Sequence, residues 1–356
     1  MVVAEEMYRP DLNEVGWGRP LTVQTPEVLP GRFNVEAVLP GRGTAGICLS
    51  AHLDTVASVG MTVPAFAAVR DGDRIFGRGS ADTKGSVAAM VCAFLQEAQL
   101  HDERGGPPVL LLLTCDEESG FRGARHFASR QAEIGFGLAG VVIGEPTGNR
   151  LVTAHKGVYR CDLETTGVSA HASMPERGVN AIYRMATAVA RIADLARVLP
   201  FQSPHPLLGG ATLSIGTIQG GTAVNTVPDF CSATLDRRLL PGETEEHVRG
   251  ELAAALNGVV GASLGRPFLA VPGYALDVRH PWAEHVRQAW GMKAGGTVPY
   301  CTDASIFGAA GLPCVVLGPG EVSAAHTADE SVSVGQLAAA VRLYRTLIAR
   351  PLADSG

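Results

Sequence analysis

The chain has 356 residues, 46% hydrophobic and 18% charged, with 29 basic against 35 acidic side chains for a formal net charge of -6. That composition excludes a disordered chain, and a length above the usual ceiling for one core predicts two domains or one domain carrying an insertion. Neither sign of charge forms a long block and apolar runs such as "VLLLL" at 109 to 113 are too short to span a bilayer, so no nucleic-acid or membrane partner is expected and a small molecule is.

The start, "MVVAEEMYRP", carries acids where a signal peptide needs a basic stretch followed by an apolar one, so a cytoplasmic protein is expected. Residues 47 to 56, "ICLSAHLDTV", open as a buried strand and end in polar residues. The glycine-rich turn "GRGSADTKG", 77 to 85, leads into a run where Val87, Met90, Val91, Phe94, Leu95 and Ala98 recur at helical spacing, with Asp82 or Thr83 available as N-cap. "VLLLLTCDEESG", 109 to 120, repeats the plan of the first strand, and strand, helix, strand implies a parallel sheet. A third run, "GVVIGEP" at 140 to 146, contains Glu145 near its end, and "PCVVLGPG" at 313 to 320 reaches its loop just before His326. In open α/β sheets ligands sit beyond such strand ends.

Between these segments stand "YRCDLETTG", a helix from about Asn180 to Leu199, "ATLSIGTIQGG", "DFCSATLDRRLLPG" and a second helix from about Glu245, the order β-α-β-β-α of a ferredoxin-like α+β unit. The expected division is residues 1–157 and 276–356 for one α/β domain, with 158–275 inserted. Seven cysteines, scattered through apolar segments with no CxxC pair, read as buried thiols, which leaves histidine, aspartate and glutamate to hold any metal.

His52 and Asp54, two apart on an extended chain, leave the same face, so one can ligate a metal while the other orients it. Alone that motif is weak, because a hydrogen-bonded surface pair has the same spacing. Glu117 and Glu118, neighbours at a strand end, point to opposite sides, so one can hold metal while the other faces substrate. Asp82 by itself reads first as a helix cap. Together, however, His52, Asp82, Glu118, Glu145 and His326 lie at or near predicted strand ends and supply two imidazoles and three carboxylates. Such a set suits two divalent ions sharing one carboxylate, with zinc, cobalt and manganese all chemically suitable.

The stretches "SAHLDTV", "GRGSADTKG", "TCDEESG", "GEPTGN", "SAHASMPERGVNA", "DRRLLPGE", "CTDAS" and "AHTADE" stand in family order and at family-like separations. On them nearly the whole chain resembles the M20 family of metallopeptidases and deacylases, which includes acetylornithine deacetylase, succinyl-diaminopimelate desuccinylase, aminoacylase and carboxypeptidase G. The resemblance implies a zinc-exopeptidase-like α/β catalytic domain with an inserted ferredoxin-like α+β lid and dimerisation domain, and two divalent ions, zinc ahead of cobalt or manganese. It implies that His52 and Glu145 hold one ion, Glu118 and His326 the other, and that Asp82 bridges them across a cis peptide bond to Thr83. Glu117 would be the general base and Asp54 would steer His52, while Asp116 and Ser119 are left as structural.

In the insertion, the resemblance implies that His171 stabilises the oxyanion in a partner subunit's site of a homodimer, and that Asn225 and Arg238 hold the substrate's carboxylate. From the residues alone Arg238 would be a surface pair with Asp236, and Asn225 a turn before Val227-Pro228. Thr302 and Asp303 fall on a substrate-side loop, Thr302 being the candidate contact. His101, His126, His155, His205, His247, His280 and His285 read as surface or packing residues, with His155 standing at the hinge before "KG".

The expected activity is removal of the acyl group from an N-acyl amino acid; the alternative on the same site is an exopeptidase of dipeptidase or glutamate carboxypeptidase type. A non-catalytic dimer is disfavoured because Glu117 and every ligand position are filled, and a nucleotide loop because "GRGSADTKG" lacks the GxxxxGK[ST] spacing. Relatives carry a longer segment before the first metal histidine, so residues 1 to 16 are read as a helix remnant or as following a start placed too far downstream.

Overall fold

The computed structural model describes residues 22–100, 106–292 and 295–352. The expected helix remnant at 1 to 16, and His101, lie outside them. The chain divides into two compact units, the first holding the described residues up to Thr153, those of 276–296 and those from Thr302 onward, the second holding Ala154–Ala275 and Thr297–Cys301.

The first unit is built on a sheet in the order Thr22–Gln24, Val35–Leu39, Val109–Thr114, Ala45–His52, Gly137–Ile143 and Cys314–Val316, with Val152 pairing beside Val316. From Val109–Thr114 to Cys314–Val316 the strands run parallel, and the strands on either side of these four are antiparallel, so the expected parallel sheet is the centre of a mixed one. The central strands read as continuous apolar runs, as strands covered on both faces do. Met90 and Phe94 of the helix Lys84–Ala98 and Tyr344 and Leu347 of Val334–Ile348 join Ile47, Leu49, Leu111 and Leu113 in one core. Each large apolar side chain so buried contributes roughly 1.5–3 kcal/mol. The strand ends, and the loops that leave them, are therefore anchored on the most stable part of the unit.

Two local expectations change. The strand expected to run towards Glu117 ends at Thr114, and Glu117–Gly120 is one helical turn entered through Asp116 at a left-handed φ of 66°. Neither Asp82 nor Thr83 caps the helix Lys84–Ala98 with its side chain. Thr83 instead donates its hydroxyl to the His52 carbonyl at 3.0 Å, which ties the glycine-rich turn to the end of the first strand.

In the second unit the antiparallel order is Thr212–Gly220, Phe230–Leu239, Gly157–Thr166 and Ala262–Leu264, with Leu269–Val271 also pairing with Gly157–Thr166. Alternate residues of Gly157–Thr166 are buried, and Tyr159, Cys161 and Leu163 pack with Met185 and Ile192 of the helix Ala181–Gln202 and Val248 and Leu252 of Glu245–Ala255. Asn180 and Thr244 cap those helices by accepting from the amides of Tyr183 and His247. No helix among the described residues is long and apolar enough to cross a membrane.

Candidate metal centre

The parallel strands put His52 at the end of one strand, the turn Glu117–Gly120 after its neighbour and Glu145 just beyond Gly137–Ile143. Onto this edge the turn before Lys84–Ala98 brings Asp82, and a loop ahead of Ser331–Ser333 brings His326. His52, Asp82 and Glu145 form one group of donor atoms within 4.8 Å of one another, and Asp82, Glu118 and His326 form a second. Asp82 is common to both, with its oxygens divided between them. Oδ1 lies 3.0 Å from His52 Nε2, and Oδ2 lies 3.1 Å from His326 Nε2. Glu118 Oε1 is 3.2 Å from His326 Nε2, and Glu145 Oε1 is 4.0 Å from His52 Nε2.

Local backbone geometry accounts for these aims. Gly79 adopts φ +81°, and a Cβ there would sit 2.7 Å from Thr55 Cγ2, so the turn needs glycine at that point. The Asp82–Thr83 peptide is cis, as the resemblance implied. His326 holds φ 62°, a region that histidine visits uncommonly.

Asp54 does a different job from the one its spacing suggested. The Nδ1 of His52 donates to Asp54's own carbonyl at 3.0 Å, while the Asp54 carboxylate stands 3.7 Å away. That carboxylate accepts instead from the amides of Glu117 and Glu118, both at 3.1 Å, the orphan donors at the start of a helical turn. Asp54 thus orients His52 through its main chain and fixes the two glutamates through its side chain. Asp116, left as structural, is fully buried and clamped by Arg32 and Arg122.

The charges are crowded. Burial pushes Glu117 well above the ordinary carboxylate range, and the charges of Glu145, Asp303 and Glu118 add to it. Glu145 is raised in the same way, burial first and then Asp82. Burial would raise Asp82 too, but hydrogen bonds from His326 and His52 outweigh it and hold it below the carboxylate range. The same bonds, from Asp82 and Glu118, raise His326 to about 10. Asp303, whose role the sequence left open, accepts from Thr114 at 2.8 Å, is raised to about 6 chiefly by burial, and has a buried Oδ1 with no hydrogen-bond partner. A donor set made only of nitrogen and oxygen, with acids outnumbering imidazoles, fits borderline divalent cations, whose charge would relieve this repulsion.

The remaining predicted residues have local partners. Thr302 is buried, and its hydroxyl accepts from the Ala304 amide at 3.1 Å. In the second unit the exposed His171 accepts from Ser173 and pairs across a short ladder with Thr226, next to Asn225, whose carbonyl accepts from Ala172. Arg238, on the strand Phe230–Leu239, donates to Asp236 at 2.8 Å, the local pair its spacing suggested. Glu330, within "AHTADE", is buried against the turn that carries Asp82, and neither its residue type nor its spacing marks it in the sequence.

A mixed α/β fold whose strand ends gather two donor triads on one shared carboxylate defines a candidate two-metal centre. The sequence pattern of peptidase family M20/M25/M40 matches residues 48–350, and the chain belongs to that family, whose members hydrolyse amide C–N bonds. It is 33% identical over 347 residues to the acetylornithine deacetylase of Photorhabdus laumondii subsp. laumondii, covering 95% of this chain and 87% of that protein. A tripeptidase of Staphylococcus aureus subsp. aureus Mu50 has a TM-score of 0.74 to it at 22% identity, covering 97% of this chain and 92% of that one. The YXEP protein of Bacillus subtilis, described as a dinuclear metal binding peptidase of the M20 family, has a TM-score of 0.67 at 16% identity, with 92% and 87% covered. At such identities these two likenesses speak for the fold alone.

Proposed function

We propose that the chain removes the acyl group from the amine of an N-acyl amino acid, in the manner of the acetylornithine deacetylases to which it is similar along most of its length. The observation that carries this reading is the 33% identity over 347 residues to an acetylornithine deacetylase, and the division of the Asp82 oxygens between the two donor groups supports the two-metal site it needs. His52 with Glu145 and Glu118 with His326 would hold two divalent ions, zinc ahead of cobalt or manganese, with Asp82 shared. Ions there would supply Lewis acidity at the scissile carbonyl and lower the pKa of water.

Glu117 does the proton work. Burial and the like charges around it raise its pKa in the metal-free protein. It takes the proton of the attacking water while the oxygen adds to the acyl carbon, then delivers that proton to the nitrogen as the C–N bond breaks. Asp54 keeps its backbone in place for both transfers.

The second unit we read as a ferredoxin-like lid and dimerisation domain. Its helix and strand order, the mostly exposed edge strand Thr212–Gly220 and the exposed Tyr183, Ile218 and Val224 support pairing with a second copy, through which His171 would serve the partner's oxyanion. A monomer in sedimentation would end that part of the reading. Asn225 and Arg238 would hold the substrate carboxylate and Thr302 would line the site; equal loss on free acid and methyl ester in Arg238→Ala would make Arg238 structural. None of the seven cysteines, all among the described residues, forms a disulfide, which suits a reducing cytoplasm, and recovery of the protein from an oxidising compartment would contradict it.

A panel of N-acetyl, N-succinyl and N-formyl amino acids beside dipeptides, each with zinc, cobalt and manganese, tests the activity. Acyl amino acids are expected to be preferred. A preference for dipeptides would replace this reading with an exopeptidase.

A further inference from the structure

Glu330 lies four residues beyond His326, at the far end of the same loop, and its side chain is fully buried. Each of its oxygens is taken twice. Oε1 accepts from the amides of Ala81 at 3.0 Å and Asp82 at 2.9 Å. Oε2 accepts from the Gly79 amide at 2.9 Å and from Arg78 Nη1 at 2.6 Å. The backbone closes the same contact, since the Gly77 amide donates to the Glu330 carbonyl at 3.0 Å. Arg78 is itself buried, and its Nε donates to the Ala57 carbonyl at 3.2 Å.

A carboxylate has about four lone-pair sites, and here four donors fill them, so Glu330 has nothing left to offer an ion. What it controls is the backbone on which Asp82 stands. Three amides of the turn converge on one charged group that is fully buried, where charge-assisted hydrogen bonds are at their strongest. Asp82 is the residue that both donor triads share, so an error in its aim is felt twice. Glu330 also joins the loop bearing His326 to the turn bearing Asp82, two segments that supply opposite members of the second triad.

We propose that Glu330 is a positioning residue of the metal centre: by gathering the amides of Gly79, Ala81 and Asp82 onto one buried carboxylate, it aims Asp82 at both metal positions and fixes the His326 loop against it. The proposal rests on the reading of Asp82 as a shared ligand. A role in stability alone is the rival account, and the two differ in what happens to metal binding.

The test uses the full-length protein stripped of metal, with zinc affinity measured against a competing chelator, the cobalt absorption spectrum, and amide exchange across residues 77 to 83. Glu330→Gln should weaken zinc binding by about 10- to 100-fold, the usual effect of losing a group that holds a ligand in place. The cobalt spectrum should change, the amides of Gly79, Ala81 and Asp82 should exchange at least roughly tenfold faster, and those of the central strands should not. Glu330→Asp keeps a charged partner for Arg78 but draws the carboxylate back by one methylene; it should keep the fold and weaken zinc binding by a smaller factor, and it carries the test if the Gln variant does not fold. Zinc affinity within about twofold of wild type in the folded variants would overturn the proposal, whatever happened to their melting temperature. Asp82→Asn run alongside separates the two ideas. If it loses zinc while the Glu330 variants keep it, the positioning role alone is wrong; if it too keeps both ions, the shared-ligand reading falls and the proposal with it.

Discussion

His52 and His155 each end a strand, and each is sealed from solvent at 2% and 0% exposure, yet their surroundings drive them in opposite directions. Burial alone favours the neutral form of both rings. At His155 burial wins over the hydrogen bond that Nδ1 donates to the Lys156 carbonyl at 3.0 Å, and the pKa falls to about 4. Its ring packs 5.8 Å from that of Tyr274. At His52 burial is overcome by the bond to Asp82 and by the charges of Glu145 and Glu117, and the pKa rises well above the usual value. A buried strand-end histidine is thus a packing residue unless acids crowd it. The carboxylates, not the imidazole, make the metal centre.

Thinning that crowd by one charge should have the largest effect. Glu117→Gln keeps the shape of the side chain and leaves the donor atoms of both triads in place, so metal analysis should find the ions retained. The amide cannot accept a proton from water, and kcat should fall by about 10²–10⁴. A variant that kept more than about one hundredth of wild-type kcat would mean that another base acts, and Glu117 would join Asp303 as one more buried acid around His52.

In the sequence the two histidines look alike, "SAHLD" and "TAHKG" both placing one after apolar residues. They separate only through acids from distant segments, and those were legible because Glu118 and Glu145 each follow a hydrophobic run that had to be a buried strand. The spacing of His52 and Asp54 said that they share a face. It could not say that the amides of Glu117 and Glu118 would arrive to claim the Asp54 carboxylate. Glu330 was hidden for the same reason, since its partners at Gly79, Ala81 and Asp82 are backbone N–H groups, and every residue but proline has one. Residue types announce ligands; the groups that hold ligands by their backbone leave no mark on the sequence.

A smaller effect tests the other side of the comparison. The folded protein keeps His155 neutral down to about pH 4, while an unfolded chain takes up the proton near 6.5, so between those values the unfolded state binds more protons. Stability therefore rises with pH across that window and is lost on acidification, by up to about 3 kcal/mol at its lower end. His155→Phe keeps an aromatic ring against Tyr274 and removes the titration. Denaturant unfolding from pH 4 to pH 8 should show a shallower acid limb in the variant than in wild type. Identical slopes would mean that His155 is protonated in the folded state as readily as in the unfolded one, and the contrast with His52 would disappear.

The smallest effect concerns the protons that metal must displace. In the metal-free protein His326 is raised to about 10 by its bonds to Asp82 and Glu118, so it is imidazolium at pH 7, and His52, against burial, is raised above its usual value as well by its bond to Asp82 and the charges of Glu145 and Glu117. Only the neutral ring can ligate, so an ion taken up by His326 must expel its proton. Loading the site should release at least about one proton, counted by calorimetry in buffers of different ionisation enthalpy. If Glu118 and His326 hold an ion as proposed, it should bind about tenfold more tightly per pH unit between pH 7 and the His326 pKa, since one proton is exchanged for it. His326→Gln should lower the count by one, whereas His155→Phe should leave it unchanged, because a ring that is already neutral has no proton to give. A count unaltered by His326→Gln would place that histidine outside the ligand set and leave Asp82 serving a single ion.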